Sequence, residues 1–244
     1  MSNEQPDVLK ISAVEEINTT EAPPGTPVPT PDQIDEKLPP EEVDKRQKIV
    51  LEYTRLLARY CPPHNMKSRW VNTVDIPRVV ADGKDLVAMC SIPRGKYSGI
   101  SALAHSQIDD KDPLRFFVLP NGMVVINPVI TDHTKFPIFK TEGCMSFPDE
   151  DIKNMIPRYN KVTATYQTLS RIDEKSDPVL SKPISENLNG GIAHIFQHEV
   201  SHLNGSNIYD NNFNPESAIG FGDGLIINPN LWSDKVEEIK NKKE

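Results

Sequence analysis

The run Gln197-His198-Glu199-Val200-Ser201-His202-Leu203-Asn204-Gly205 places two histidines four residues apart with a glutamate beside the first. On a helix, residues spaced by four lie one above the other on a single face, so two neutral imidazoles can grip one divalent metal ion. Glu199 then stands next to a water held in the open position of that ion and can take its proton, which is the chemistry of the HExxH arrangement. Three fixed letters in five also arise in unrelated helices, and the third ligand is what distinguishes one kind of site from another.

Three sources of that ligand present themselves. The extended pattern HExxHxxGxxH finds Gly205 in place, but Ile208 stands where its third histidine would be. A glutamate from a later helix would have to be Glu216, which lies in a Pro- and Asn-rich segment with weak helical character. Upstream, Glu142-Gly143-Cys144-Met145-Ser146 offers a cysteine beside a glycine, able to present its thiolate to a metal. With Cys144 the set becomes one Cys and two His, and water completes a tetrahedron. His194, one turn before His198, is read as supporting the site or lying at the surface, since three ligands and an open position already suffice.

At these residues the chain resembles the peptide deformylases, whose signatures are GφGφAAxQ, EGCφS and QHExDHLxG in that order, φ being apolar. The second is intact from Glu142 to Ser146, and the third is matched from Gln197 to Gly205 with Ser201 in place of the aspartate. The first is eroded. Ile100-Ser101-Ala102-Leu103-Ala104-His105-Ser106-Gln107 keeps the glutamine, one alanine and the second apolar position, but Ile100 and Ala102 stand where the family has glycines and His105 where it has an alanine. The likeness continues through Val125-Ile126-Asn127-Pro128-Val129-Ile130 and Pro157-Arg158, and covers about residues 80 to 212.

The resemblance implies a metal-dependent hydrolase that removes the N-formyl group from the N-terminal formylmethionine of nascent polypeptides and releases formate. It implies Cys144, His198 and His202 as metal ligands, Glu199 as general acid and base, and the Gln107 side-chain amide with the Met145 backbone N–H as oxyanion donors. Glu142 would brace the cysteine loop through an arginine. Ferrous iron is the implied ion, while the softness of the ligands equally admits zinc, nickel or cobalt. The implied partners are N-formylmethionyl nascent peptides, met at the ribosome, and the implied location is the cytoplasm, or a host's cytoplasm for a viral lineage.

The elements that must carry these groups are unevenly supported by composition. Residues 1–42 hold eight of the 22 prolines, no aromatic residue, and ten acidic against two basic side chains. That accounts for the net charge of -8, and from Val43 onward acids and bases balance. Such a segment reads as a disordered acidic arm apart from the core. An amphipathic helix over 43–63 follows, with Ile49, Tyr53, Leu56, Leu57 and Tyr60 as its stripe and Pro62-Pro63 as its stop. Residues 64–244 then form one catalytic domain with a short polar C-terminal tail. Within it, a short helix is expected near Asp85 to Cys90 and a hairpin around Pro120-Asn121-Gly122. Strands are expected at Phe136 to Thr141 and Lys161 to Leu169, and a polar loop over Ser170 to Asn189. A helix opened by Gly190-Gly191 buries Ile192, Ile195, Phe196 and Leu203. The fold class is therefore α+β, antiparallel strands around a central HExxH helix.

No basic stripe with interleaved aromatics suggests nucleic acid, and no apolar run reaches the ~20 residues that span a bilayer. The start lacks the basic and apolar pattern of a signal sequence. Cys61, Cys90 and Cys144 read as free thiols with one metal ligand among them, and His64 and His133 as solvated. A second function class remains open: a catalytically weak or inactive deformylase-like fold serving as a structural or interaction component, docked on a protein partner through its N-terminal arm. The two are separated by whether Ile100, Ala102 and His105 leave an open slot beside the metal ligands or plug it.

Overall fold

Phe116 and Phe117 are neighbours in sequence and both fully buried. Successive strand side chains point to opposite faces, so such a pair demands a sheet covered on both sides. The computed structural model describes residues 8–11, 40–60, 66–92, 100–147, 155–171, 176–208, 220–221 and 225–226. In chain order its elements are α1 (Pro40–Arg59), α2 (Ile76–Cys90), β1 (Leu103–Ala104), β2 (Phe116–Val118), β3 (Val124–His133), β4 (Ile138–Thr141), β5 (Met155–Arg158), β6 (Lys161–Gln167), β7 (Leu169–Ser170), β8 (Val179–Leu180), β9 (Ile184–Asn189), α3 (Gly190–Leu203), β10 (Gly220–Phe221) and β11 (Leu225–Ile226).

Five strands pair antiparallel in the order β1-β2-β3-β6-β9. On one face Phe116, Val118, Val124 and Ile126 pack with Val79, Leu86 and Val87 of α2. On the other, Phe117, Val125, Ala164 and Tyr166 pack with Ala193, Phe196, Val200 and Leu203 of α3. The sheet is thus sandwiched, and the helix carrying the histidine pair is seated by one of its two cores. The α+β class expected from sequence is the class observed. Ile192 differs from the expected buried set and is 38% exposed, because it lies in the first turn of α3, beyond the sheet's cover.

The hairpin forms where Asn121-Gly122 places it, with Phe116 opposite Ile126 and Val118 opposite Val124. Gly122 has φ 82°, and a Cβ there would lie 2.3 Å from the carbonyl oxygen of Ile11, so the turn requires glycine on both counts. That second reason corrects the expectation that residues 1–42 stand apart from the core. Leu9 donates its N–H to the Leu169 carbonyl, Ile11 donates to Gly122, and the Ile11 side chain is buried in the α2 core. Its Cδ1 lies 3.0 Å from where a Cβ on Gly83 of α2 would be, so that glycine makes room for it. Four consecutive residues with alternate apolar side chains are enough to add a strand-like strap, and the arm's average composition hides them. The rest of the arm up to residue 39 lies outside the described residues, as do Cys61, His64 and Glu216.

Two further expectations change. The short helix near Asp85 to Cys90 extends back to Ile76, with Pro77 in the first turn where its missing N–H is tolerated. Asp82 and Gly83 interrupt the apolar stripe and conceal its length. The helix expected over 43–63 runs from Pro40 to Arg59, and its described contacts with α2 are Leu56 and an ion-pair network. Arg55 binds Asp85 at 2.7 Å, Arg59 binds Asp82 at 2.7 Å, and Arg59 also binds Asp85. The polar loop expected over Ser170 to Asn189 contains β8 and the edge strand β9. Only Leu188 of β9 is buried, and pairing with β6 rather than an apolar face holds it. No helix among the described residues is long and apolar enough to cross a membrane.

Candidate metal centre and its cavity

Cys144, His198 and His202 converge, each offering a ligand atom, with all three atoms within 4.8 Å of one another. The Nε2 atoms of His198 and His202 are 3.1 Å apart, and the Cys144 Sγ is 3.4 Å from His202 Nε2. A tetrahedral ion with metal–nitrogen distances of about 2.05 Å and metal–sulfur distances of about 2.3 Å would require separations of about 3.3 and about 3.6 Å. The donors are therefore spaced as such an ion needs.

The two imidazoles are oriented from behind. His202 Nδ1–H donates to the Ser206 carbonyl at 3.0 Å, and His198 Nδ1–H donates to Glu142 Oε2 at 3.0 Å. Both imidazoles then turn Nε2 toward the cluster in its lone-pair form. Glu142 is in turn held by Arg158, fully buried, through two bonds of 2.8 Å. Burial works against the Glu142 charge, but Arg158 and His198 outweigh it and hold the carboxyl far below the usual carboxylate range. Arg158 also reaches the Ser201 hydroxyl at 3.3 Å, at the position where the family signature has an aspartate. The loop that begins with Glu142 is thereby tied to α3, which places Cys144 on the helix's histidine face. Ile208, in the position of a third histidine, is buried against Cys144 instead.

Burial also disfavours the Cys144 thiolate, yet His202 and His198 overcome this, so its pKa lies well below that of an ordinary thiol. Metal ligation needs that ionised form. Glu199 is 4% exposed, and its Oε2 is buried without a protein hydrogen-bond partner. Burial raises its pKa against the opposing pull of His198 and His202. Cys90, at the end of α2, is pushed up to about 12 by burial and by the Glu199 charge, which makes it an inert core thiol.

These groups open onto a cavity of about 310 Å³ whose lining includes Ile100, Ala102, Gln107, Cys144, Met145, His194, Ile195, His198 and Glu199. The residues that replace signature glycines therefore border the space without closing it. Gln107 accepts the Ala104 N–H on Oε1 at 2.9 Å, which turns its Nε2 toward Ser146 Oγ at 3.2 Å. His194 is buried and lines the cavity rather than lying at the surface, and it is not one of the three converging ligands. His105 does not line the cavity. His133, expected to be solvated, is half-buried and stacked on Tyr159 at 3.8 Å. The arginine expected to brace the cysteine loop through Glu142 is Arg158, although its position was not singled out from the sequence. The signal was its place three residues before Lys161, at the end of the strand Met155–Arg158, an arginine where a core residue would be apolar.

Residues 99–218 match the family model for polypeptide deformylase. The peptide deformylase of Pediococcus pentosaceus is 31% identical over 105 residues, covering 42% of this chain and 50% of that protein. Peptide deformylase 2 of Geobacillus stearothermophilus is 34% identical over 104 residues, covering 42% and 50% respectively. The Thermotoga neapolitana enzyme is 36% identical over 99 residues, covering 39% and 53%. The chain spans about half the length of these curated relatives. Among solved structures, a peptide deformylase from Synechococcus elongatus in complex with actinonin is 20% identical with a TM-score of 0.47, covering 72% of this chain and 81% of that one. Over residues 99–218 the chain is thus similar to the peptide deformylases, in the stretch that carries Cys144, His198, Glu199 and His202.

Proposed function

We propose that the protein hydrolyses the formamide of N-formylmethionyl polypeptides, releasing formate and a free amino terminus, and that it does so in the cytoplasm on nascent chains. The observation that carries this reading is the meeting of Cys144, His198 and His202 at one point, where Cys144 and His198 line, together with Glu199, Gln107 and Met145, a single cavity. Cys144, His198 and His202 would hold one divalent ion, iron by family resemblance, which would supply Lewis acidity toward water and the formyl oxygen.

The remaining steps fall to the chain's own groups. Glu199 takes a proton from the attacking water as its oxygen bonds to the formyl carbon. The same carboxyl returns that proton to the peptide nitrogen as the carbon–nitrogen bond breaks, leaving formate and an amine. The oxygen that gains charge meets the Gln107 Nε2–H, of whose two hydrogens one serves Ser146, and the Met145 backbone N–H. Glu142 and Arg158 hold the His198 ring so that its Nε2 stays with the other donors. The open cavity supports this reading over a purely structural role, and the use of residues 8–11 inside the fold removes part of the arm from any docking role. Formate release from formyl-Met-Ala-Ser by the iron-loaded protein tests it, and a folded, fully loaded protein that releases none would overturn it.

A further inference from the structure

We propose that His105 and Asp82 are positioning residues for Gln107: a buried imidazole–carboxylate pair that fixes, from behind the cavity wall, where the oxyanion donor stands. The inference rests on the reading above.

His105 is fully buried and fixed at both nitrogens. Leu114 donates its N–H to Nδ1 at 2.9 Å, so Nδ1 carries the lone pair and Nε2 the hydrogen. That hydrogen goes to Asp82 Oδ2 at 2.9 Å. The ring also lies 4.7 Å from that of Phe116, tilted by 35°. Two hydrogen bonds in the ring plane and a packed face leave the imidazole no second orientation. Asp82 is equally constrained. It projects from α2, accepts Arg59 from α1 at 2.7 Å on its other oxygen, and has Arg78 Nε at 3.4 Å. Burial alone would raise its pKa, but His105 and Arg59 hold it at about 2, so the carboxylate is a permanent acceptor.

The same residue begins the single turn that ends in the donor. The His105 carbonyl accepts the N–H groups of Ile108 at 3.0 Å and Asp109 at 3.1 Å, and the turn spans His105–Gln107. Gln107 then folds back on the Ala104 N–H. Fixing the imidazole therefore fixes the residue on either side of which the amide is anchored. A residue needed only for volume here would be apolar, since Leu103, Ile108, Leu114 and Phe116 belong to the adjoining core. A buried polar pair that is fully satisfied contributes uniqueness of geometry instead. Geometry is what an oxyanion donor requires, because misplacement by about 1 Å can cost about 10²-fold in rate.

The test is a double-mutant cycle with an exchange readout on the metal-loaded full chain. His105→Ala is expected to lower kcat for formyl-Met-Ala-Ser by about 10- to 100-fold with KM within about twofold, since the lost contact serves the transition state. In a Gln107→Ala background the same change should alter kcat by less than about twofold, because its effect passes through the amide. Asp82→Asn, whose Oδ1 can still accept from the ring, should keep most of the activity that Asp82→Ala loses. Hydrogen exchange at the Ala104 amide should quicken about tenfold in His105→Ala while β3 and β6 amides stay protected. An equal loss of kcat with and without Gln107, or a folded His105→Ala of undiminished kcat, overturns the proposal. If His105→Ala does not fold, undiminished kcat in Asp82→Ala overturns it. Absence of formate from the parent protein overturns the proposed function instead, and the positioning claim is then decided by exchange, where unchanged protection at Ala104 refutes it.

Discussion

Two parts of the site are built on different terms. On the α3 side, Cys144, His198 and His202 are the residue types that the family signatures call for, backed by Glu142 and Arg158. In the 100–107 segment only Gln107, Ala104 and Leu103 keep the signature, while Ile100, Ser101, Ala102 and His105 do not. A metal ligand must be a particular atom, so its identity is coupled to the ion and cannot drift. An oxyanion donor must be in a particular place, and several kinds of support can hold it there. The contrast teaches that erosion of a signature is informative only after asking whether each letter supplies chemistry or position.

The comparison can be broken most severely on the α3 side. Glu199→Gln should keep its metal and lose about 10²- to 10⁴-fold in kcat, the usual contribution of a general acid and base. Metal content and formate release measured on one sample check this, and unchanged turnover would place the proton elsewhere. Arg158→Ala should weaken metal affinity by about 10- to 100-fold, because Glu142 loses its charged partner and no longer fixes His198. Competition with a chelator reads this out.

The support behind the other segment can be probed by acid. The Asp82 pKa is depressed to about 2 in the folded chain, so its contribution is present above the ordinary carboxylate range and is lost as pH falls from about 4 toward about 2. Melting temperatures across that window should fall less steeply in Asp82→Asn than in the parent. The smallest effect is expected at the cavity rim. Replacing both Ile100 and Ala102 by glycine should lower KM by about two- to fivefold and change kcat less, since such contacts serve ground and transition state alike. Unchanged KM in a stable double variant would mean that these side chains do not obstruct substrate.

The α3 side was legible in the sequence because ligand letters and helical spacing are both local. The hairpin was legible for the same reason, Asn121-Gly122 being a two-residue instruction. What was hidden depends on partners distant in sequence. The first half of α2 carries Asp82 and Gly83 on its inward side, which breaks the apolar period, and each makes sense only beside His105 or Ile11. The edge strand β9 is held by pairing with β6, so its own residues carry almost no apolar alternation. His105 looked like a substitution of unknown purpose in a signature, and its purpose lies on another helix.

The hydrogen bond from Ile11 to Gly122 has a bearing on how the molecule is made. Residue 11 leaves the ribosome well before residue 122 exists, so this contact belongs to the part of the topology with the highest contact order. Its closure must wait for the hairpin, and the entropy of the intervening loop is spent before it is rewarded. The start of the chain is then among the last pieces to settle and among the first to let go. A bulky tag fused directly ahead of Val8 would compete with that closure.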